Sequence, residues 1–255
     1  MLQFIIFMAF IGLAAGLAWF LISQDRGEKE PVDALWLAVG FGIAGALLAG
    51  FIEGRLIESD NLLPGMTAGT ILKAALGVGV IEESIKFLPL AFFIYKRRYF
   101  NEHTDGVIYF ALAGLGFGLP ENILYTLQFG AKTGLLRLFL TPLFHAAATA
   151  GVGYFLIRRK LSHKSSWSVL MALLVVITLH GFYDFGLAAT SSVLNTLAIV
   201  VTLCMNAGLF LLYMRATDKD QESGKSAVGH NSFCRSCGWA NPNHNLYCVH
   251  CGKNA

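Results

Sequence analysis

Apolar residues run along this chain in long blocks, with polar residues gathered between them. A membrane helix needs about 20 mostly apolar residues to cross the hydrocarbon. Seven such windows occur, at roughly 2–23, 34–52, 68–95, 105–129, 135–157, 167–188 and 192–214. The pattern predicts an all-α polytopic membrane helix bundle of about seven spans. The third window is longer than a span needs, so it is expected to tilt or to break near Gly77 and Gly79. Pro89, Pro120 and Pro142 fall inside the third, fourth and fifth spans, where each removes a backbone donor and invites a kink. The first run starts at Leu2 with no Lys or Arg ahead of it and reads as a retained span. Beyond 214 the pattern changes. Residues 215–231 (RATDKDQESGKSAVGHN) are polar with Gly and Ser and read as a flexible linker, followed by a small module over 232–255.

Composition narrows the class. The chain has 255 residues, 55% hydrophobic and 14% charged. A mean hydropathy of +0.59 is too high for a soluble domain. A net charge of +3 is small for this length and argues against a nucleic-acid partner. Arg26 and Lys29, then Lys96 to Arg98, then Arg158 to Lys160 with Lys164, and the tail fall on one set of loop ends. The other set holds only Arg55, Lys132 and Arg137. Basic loops stay in the cytoplasm. The expected arrangement is a multi-pass protein of the plasma membrane with its N-terminus outside and its C-terminal module cytoplasmic.

Several ionisable residues break the apolar blocks. They are Glu82, Glu83 and Lys86; Glu121, beside Asn122; His145; and His180 with Asp184. Such groups are costly inside a bilayer and read as functional by default. At about 1.5 Å per residue, Glu82 lies roughly 21 Å from Lys96 and Glu121 roughly 24 Å from Asp105. His145 lies about 20 Å from Arg158, and His180 about 21 Å from Ser166. Four helices therefore place polar groups at one depth, as a shared buried site requires. Glu82 and Lys86 are i, i+4 neighbours, so the ammonium can balance a carboxylate. His180 and Asp184 share that spacing, which lets the carboxylate fix the imidazole tautomer. Glu83 points about 100° away from Glu82. The run Gly114-x-Gly116-x-Gly118 lets another helix approach just before Glu121.

This inventory fits more than one chemistry. A Glu beside a His can activate water, and a second His can stabilise an oxyanion. The same donors suit zinc with an open position, although no HExxH stands in the chain. A transporter or proton relay also uses mid-membrane Glu and His. A non-catalytic scaffold that docks clients through the C-terminal module is a further alternative.

EESIK at 82–86, FGLPEN at 117–122, FHAAATAG around His145 and HGFYD at 180–184 resemble the PrsW family of intramembrane proteases. That family is similar in turn to CAAX-processing endopeptidases and bacterial abortive-infection proteins. The resemblance covers roughly residues 65–190. It implies hydrolysis of peptide bonds in membrane-protein or peptide substrates, with anti-sigma factors as the best-known class. It implies a catalytic pair Glu82/Glu83, an essential His180, His145 and Glu121 in the site, and Asp184 supporting His180. Whether a metal takes part is left open by the resemblance.

Cys234-x2-Cys237 and Cys248-x2-Cys251 are each followed by glycine. Two such knuckles supply four thiolates for tetrahedral zinc. About 20 residues bury no useful core, so the metal would supply the folding energy of this zinc ribbon. A structural role or a cytoplasmic protein partner is expected for it. His103 and His163 read as solvated loop residues.

Overall fold

The computed structural model describes the chain except residues 58–66, 163–164, 223–230, 235, 239, 243–247, 249–250 and 252–255. Seven helices make up the bundle: α1 Leu2–Ser23, α2 Val32–Leu56, α3 Ala68–Phe93, α4 His103–Phe129, α5 Ala131–Ser162, α6 Trp167–Ala188 and α7 Ser192–Glu222. Six are long and apolar enough to cross a membrane. The exception, α3, carries Lys73, Glu82, Glu83 and Lys86. It runs unbroken through Gly77, Gly79 and Pro89, because its neighbours hold it on both sides.

The bundle is built around α4, which is buried from Thr104 to Gly118. Small residues make that possible. A Cβ on Gly114 would run into the His145 carbonyl of α5, and one on Gly116 into the Val39 carbonyl of α2. Alternate glycines thus seat two different helices against α4. Gly79 of α3 meets α6 in the same way, where a Cβ would lie 2.7 Å from the Ile177 carbonyl oxygen. These backbone approaches let polar side chains from α3, α5 and α6 reach one point. Helix α4 passes Pro120 without breaking and ends at Gly130, whose φ of 89° few other residues tolerate.

The start of α4 is tied down by acids. Glu102 and Asp105 form a capping box. Asp220, near the end of α7, accepts hydrogen bonds from the His103 and Thr104 backbone N–H groups at 2.7 and 2.9 Å. This contact explains two departures from the sequence reading. His103 opens α4 and pairs with Asp220, and so is no loop residue. Residues 215–222 continue α7, where a linker was expected, because Asp220 reaches the orphan donors of α4. His163 lies outside the described residues.

The same acids make stability depend on pH. Burial, with Asp105, Asp220 and Asp25 nearby, pushes the Glu102 carboxyl from its ordinary 4.5 up to about 9, against the pull of the Glu28 N–H. The folded protein therefore holds a proton that the unfolded chain releases, and stability falls as pH rises through this window. Thermal unfolding in detergent at pH 6 and pH 9 checks this. The parent should lose more of its midpoint than Glu102→Gln, and equal losses would remove Glu102 as the cause.

After α7, two short antiparallel strands, β1 Asn231–Phe233 and β2 Ala240–Pro242, carry the cysteine module. The four sulfurs of Cys234, Cys237, Cys248 and Cys251 lie within 4.8 Å of one another. Gly238, at φ 67°, makes the turn after the first knuckle, where a Cβ would lie 3.4 Å from the Tyr99 ring.

Candidate active site

Helix α3 supplies the centre of the site. On adjacent turns it presents Glu82, Glu83 and Lys86, which are 4%, 1% and 2% exposed. The Lys86 ammonium donates to Glu82 Oε2 at 3.0 Å and to Glu83 Oε1 at 2.8 Å, and it lies 3.0 Å from His145 Nδ1. It also sits 4.0 Å above the Phe117 ring centroid. One lysine thus clasps both carboxylates and an imidazole from another helix, where the spacing alone predicted a single partner. Charge pairing of this kind is what lets ionisable groups persist in an apolar interior.

The two histidines are oriented differently. With an ammonium donating to Nδ1, the neutral His145 ring carries its proton on Nε2, 2.6 Å from Glu121 Oε2. That contact is off the line of a good hydrogen bond, so the Glu121 oxygen lies close to the ring without being satisfied. His180 Nδ1 lies 2.7 Å from Glu83 Oε1. Its Nε2 is 3.5 Å from Glu82 Oε2 and 3.7 Å from Asp184 Oδ2. Glu83 therefore fixes the His180 ring. Asp184, expected in that part from its spacing, stands beyond hydrogen-bond reach. Phe144 packs edge-on against His180, with centroids 5.3 Å apart, and walls the ring in.

A second layer lies toward the ends of α2 and α4. Arg137 of α5 pairs with Glu121 and donates to Asn122 Oδ1 at 2.7 Å. The sequence reading counted Arg137 among loop charges, but it is 7% exposed inside α5. Its guanidinium also covers the Tyr125 ring at 3.9 Å. Glu53 of α2 has Glu82, Glu121, Asp184 and His180 as its charged neighbours. No sequence motif singled it out. The only signal was a carboxylate at the very end of an apolar block, which the structure places one turn inside the end of α2.

All seven predicted site residues thus lie in one connected group, with Glu121 joined through His145 and Asp184 at the rim. Asp184 and Glu121 keep 21% and 16% of their side chains exposed, against 6% or less for the inner Glu82, Glu83 and His180. Glu82, Glu83, His145 and His180 each offer one ligand atom, and the four lie within 4.8 Å of one another. Two imidazoles and two carboxylates are a donor set that suits zinc. Because Lys86 rests against three of them, an ion at this place requires the ammonium to swing aside.

Fold and site define a multi-pass integral membrane protein with a buried carboxylate–histidine centre. The family model described as PrsW family intramembrane metalloprotease matches residues 30–237. "Protease PrsW" of Bacillus subtilis (strain 168) is 31% identical over 186 residues, covering 71% of this chain and 83% of that protein. "Protease PrsW" of Halalkalibacterium halodurans is 34% identical over 170 residues, covering 66% and 76%. The Oceanobacillus iheyensis protein of the same name is 29% identical over 221 residues, covering 85% and 96%. No solved structure matches. The chain belongs to the PrsW family of intramembrane metalloproteases and is a peptide hydrolase. The transporter and scaffold readings of the cluster give way to that membership.

Proposed function

We propose that the chain cleaves membrane-protein substrates at the Glu82/Glu83/His145/His180 centre, with Glu82 as the base that takes the proton from the attacking water. The observation that carries this is the unequal use of the two glutamates. Glu83 Oε1 is held by Lys86 and His180. The bonds of Glu82 run through Oε2, and it faces the layer of Glu53 and Asp184. Glu83 is thus a positioning residue that holds Lys86 and His180. Glu82 accepts one hydrogen bond where Glu83 accepts two, and its side chain is 6% exposed against 1%, so it is the freer carboxylate to take a proton from water. His180 Nε2 lies 3.5 Å from Glu82 Oε2 and can donate to the developing oxyanion when protonated. Lys86 balances the charge of the pair, and Asp184 borders the same space.

A metal in this site would be held by Glu82, Glu83, His145 and His180 and would supply Lewis-acid polarisation of the scissile carbonyl and of water. Membrane-anchored regulators of the anti-sigma-factor type are the substrate class that the family resemblance suggests. The basic ends of α1, α3 and α5 lie at one end of the bundle, where Lys160 donates to the Tyr95, Arg97 and Phe100 carbonyls. Removing Arg137 from the opposite end strengthens the charge asymmetry. This supports a cytoplasmic C-terminal module and an extracytoplasmic N-terminus.

The four-cysteine cluster is a structural zinc site on this reading, placed to dock a cytoplasmic protein. Cys234–Cys251 and Cys237–Cys248 sulfur distances of 3.5 and 3.6 Å fit thiolates converging on one ion. A metal count on purified protein tests both sites. Cys234→Ser/Cys251→Ser should lower zinc by about one equivalent. Zinc that remains and is lost in His145→Ala/His180→Ala assigns the rest to the membrane centre. Reconstituted protein that cuts no single-span substrate, across a panel of membrane-anchored regulators, would overturn the proteolytic reading.

A further inference from the structure

Five carboxylates crowd the site region: Glu53, Glu82, Glu83, Glu121 and Asp184. The permanent cations facing them are Lys86 and Arg137. Lys86 is taken by Glu82 and Glu83, and Arg137 by Glu121. Among the described residues, neither Glu53 nor Asp184 forms an ion pair with a lysine or arginine. Glu53 Oε1 and Asp184 Oδ2 are both buried without a hydrogen-bond partner.

An independent observation lies beside them. Tyr183 is 2% exposed and stacks on Phe144, with centroids 5.0 Å apart. Its hydroxyl has no partner, although Arg137, Asp184 and Glu121 are its charged neighbours. A buried phenol left unsatisfied is costly, and native structures keep such groups where something else meets them. Two acids lacking a fixed cation and an idle hydroxyl make an acceptor-rich patch. It adjoins His180 and Glu82, so its occupant would sit next to the bond being cut. Glu53 and Asp184 fall outside the four-donor group, which separates this space from the candidate metal ligands.

We infer that Glu53, Asp184 and Tyr183 form a substrate subsite that takes a basic side chain, lysine or arginine, flanking the scissile bond. A long cationic side chain matches it in sign and donor count. The ammonium or guanidinium pairs with the two carboxylates, and one of its N–H groups reaches the Tyr183 oxygen. Such a residue stands naturally at the edge of a membrane span, where it snorkels from the apolar segment. The inference rests on the proteolytic reading above.

The test uses full-length protein in proteoliposomes and a set of single-span peptides. The peptides are identical except for one Lys, Leu or Glu walked through five positions near the outer membrane edge. Cleavage by the parent should favour Lys over Leu at one position by about tenfold or more in kcat/KM. Glu53→Gln should bring that ratio toward one, Glu53→Asp should keep most of it, and Glu53→Lys should turn the preference toward Glu. Binding of the same peptides to Glu82→Gln protein gives a readout independent of chemistry. A Lys preference in binding without cleavage by the parent would sink the proteolytic reading and leave the subsite standing. Cleavage with a Lys:Leu ratio near one at every position, or a ratio unmoved by both Glu53→Gln and Glu53→Lys, overturns the subsite.

Discussion

Glu82→Gln is expected to lower the cleavage rate of a membrane-embedded substrate by about 10³-fold, within the 10²–10⁴-fold range of a lost general base. The amide keeps the shape of the carboxylate and its place 3.0 Å from the Lys86 ammonium. It cannot accept a proton from water at neutral pH. Glu83→Gln is expected to be as damaging by a different route. Its Oε1 holds both Lys86 and His180, and the amide oxygen that replaces it accepts from both without the negative charge that makes these bonds strong. His180 is then held less firmly. The two variants separate in a second measurement. Peptide binding should survive Glu82→Gln and weaken in Glu83→Gln, where the ring beside the substrate is loosened. Initial rates in proteoliposomes, on variants shown by circular dichroism and thermal unfolding to be folded, check this. Rates within threefold of the parent for Glu82→Gln would remove it from the role of base.

Much of this arrangement was written in the alternation of apolar and polar positions. Seven apolar blocks became seven helices with nearly the expected bounds. Helical rise alone put Glu82, His145 and His180 at one depth. The glycines before Glu121 were legible as close-packing residues, and the structure divides their work between α5 and α2. What the sequence hides is direction across the bundle. Lys86 is near Glu82 in sequence, but its contact with His145, 59 residues away, depends on how α3 and α5 face each other. The same holds for His180. Its spacing pointed to Asp184, while tertiary packing brought Glu83 closer. Arg137 looked like a loop charge because it follows a polar turn at 130–134. Only its partners Glu121 and Asn122, 16 and 15 residues earlier, explain its burial. Glu53 stood one turn from a helix end, where a solvated carboxylate is ordinary. A single sequence carries no mark that three other helices turn acids and a histidine toward it.

Lys86→Met is the substitution expected to cost the fold most. Methionine matches the length and apolar stem of lysine, so packing against Phe117 is largely kept. What is lost is the one cation shared by Glu82 and Glu83, which are 4% and 1% exposed. Breaking a buried ion pair by removing one partner costs about 3–5 kcal/mol, because the other charge stays buried and uncompensated. Here two carboxylates are left, and the His180 ring is the nearest group able to offset them. A marked fall in the thermal midpoint in detergent is therefore expected, together with loss of cleavage. Adding Glu83→Gln to Lys86→Met removes one of the stranded charges and should restore a large part of the midpoint while activity stays low. That opposite movement of stability and activity distinguishes a charge clasp from ordinary packing, since contacting residues that act through charge are strongly non-additive. If Lys86→Met unfolds at the parent's temperature, or if Glu83→Gln lowers its midpoint further, the ammonium is not what holds the two glutamates in the membrane.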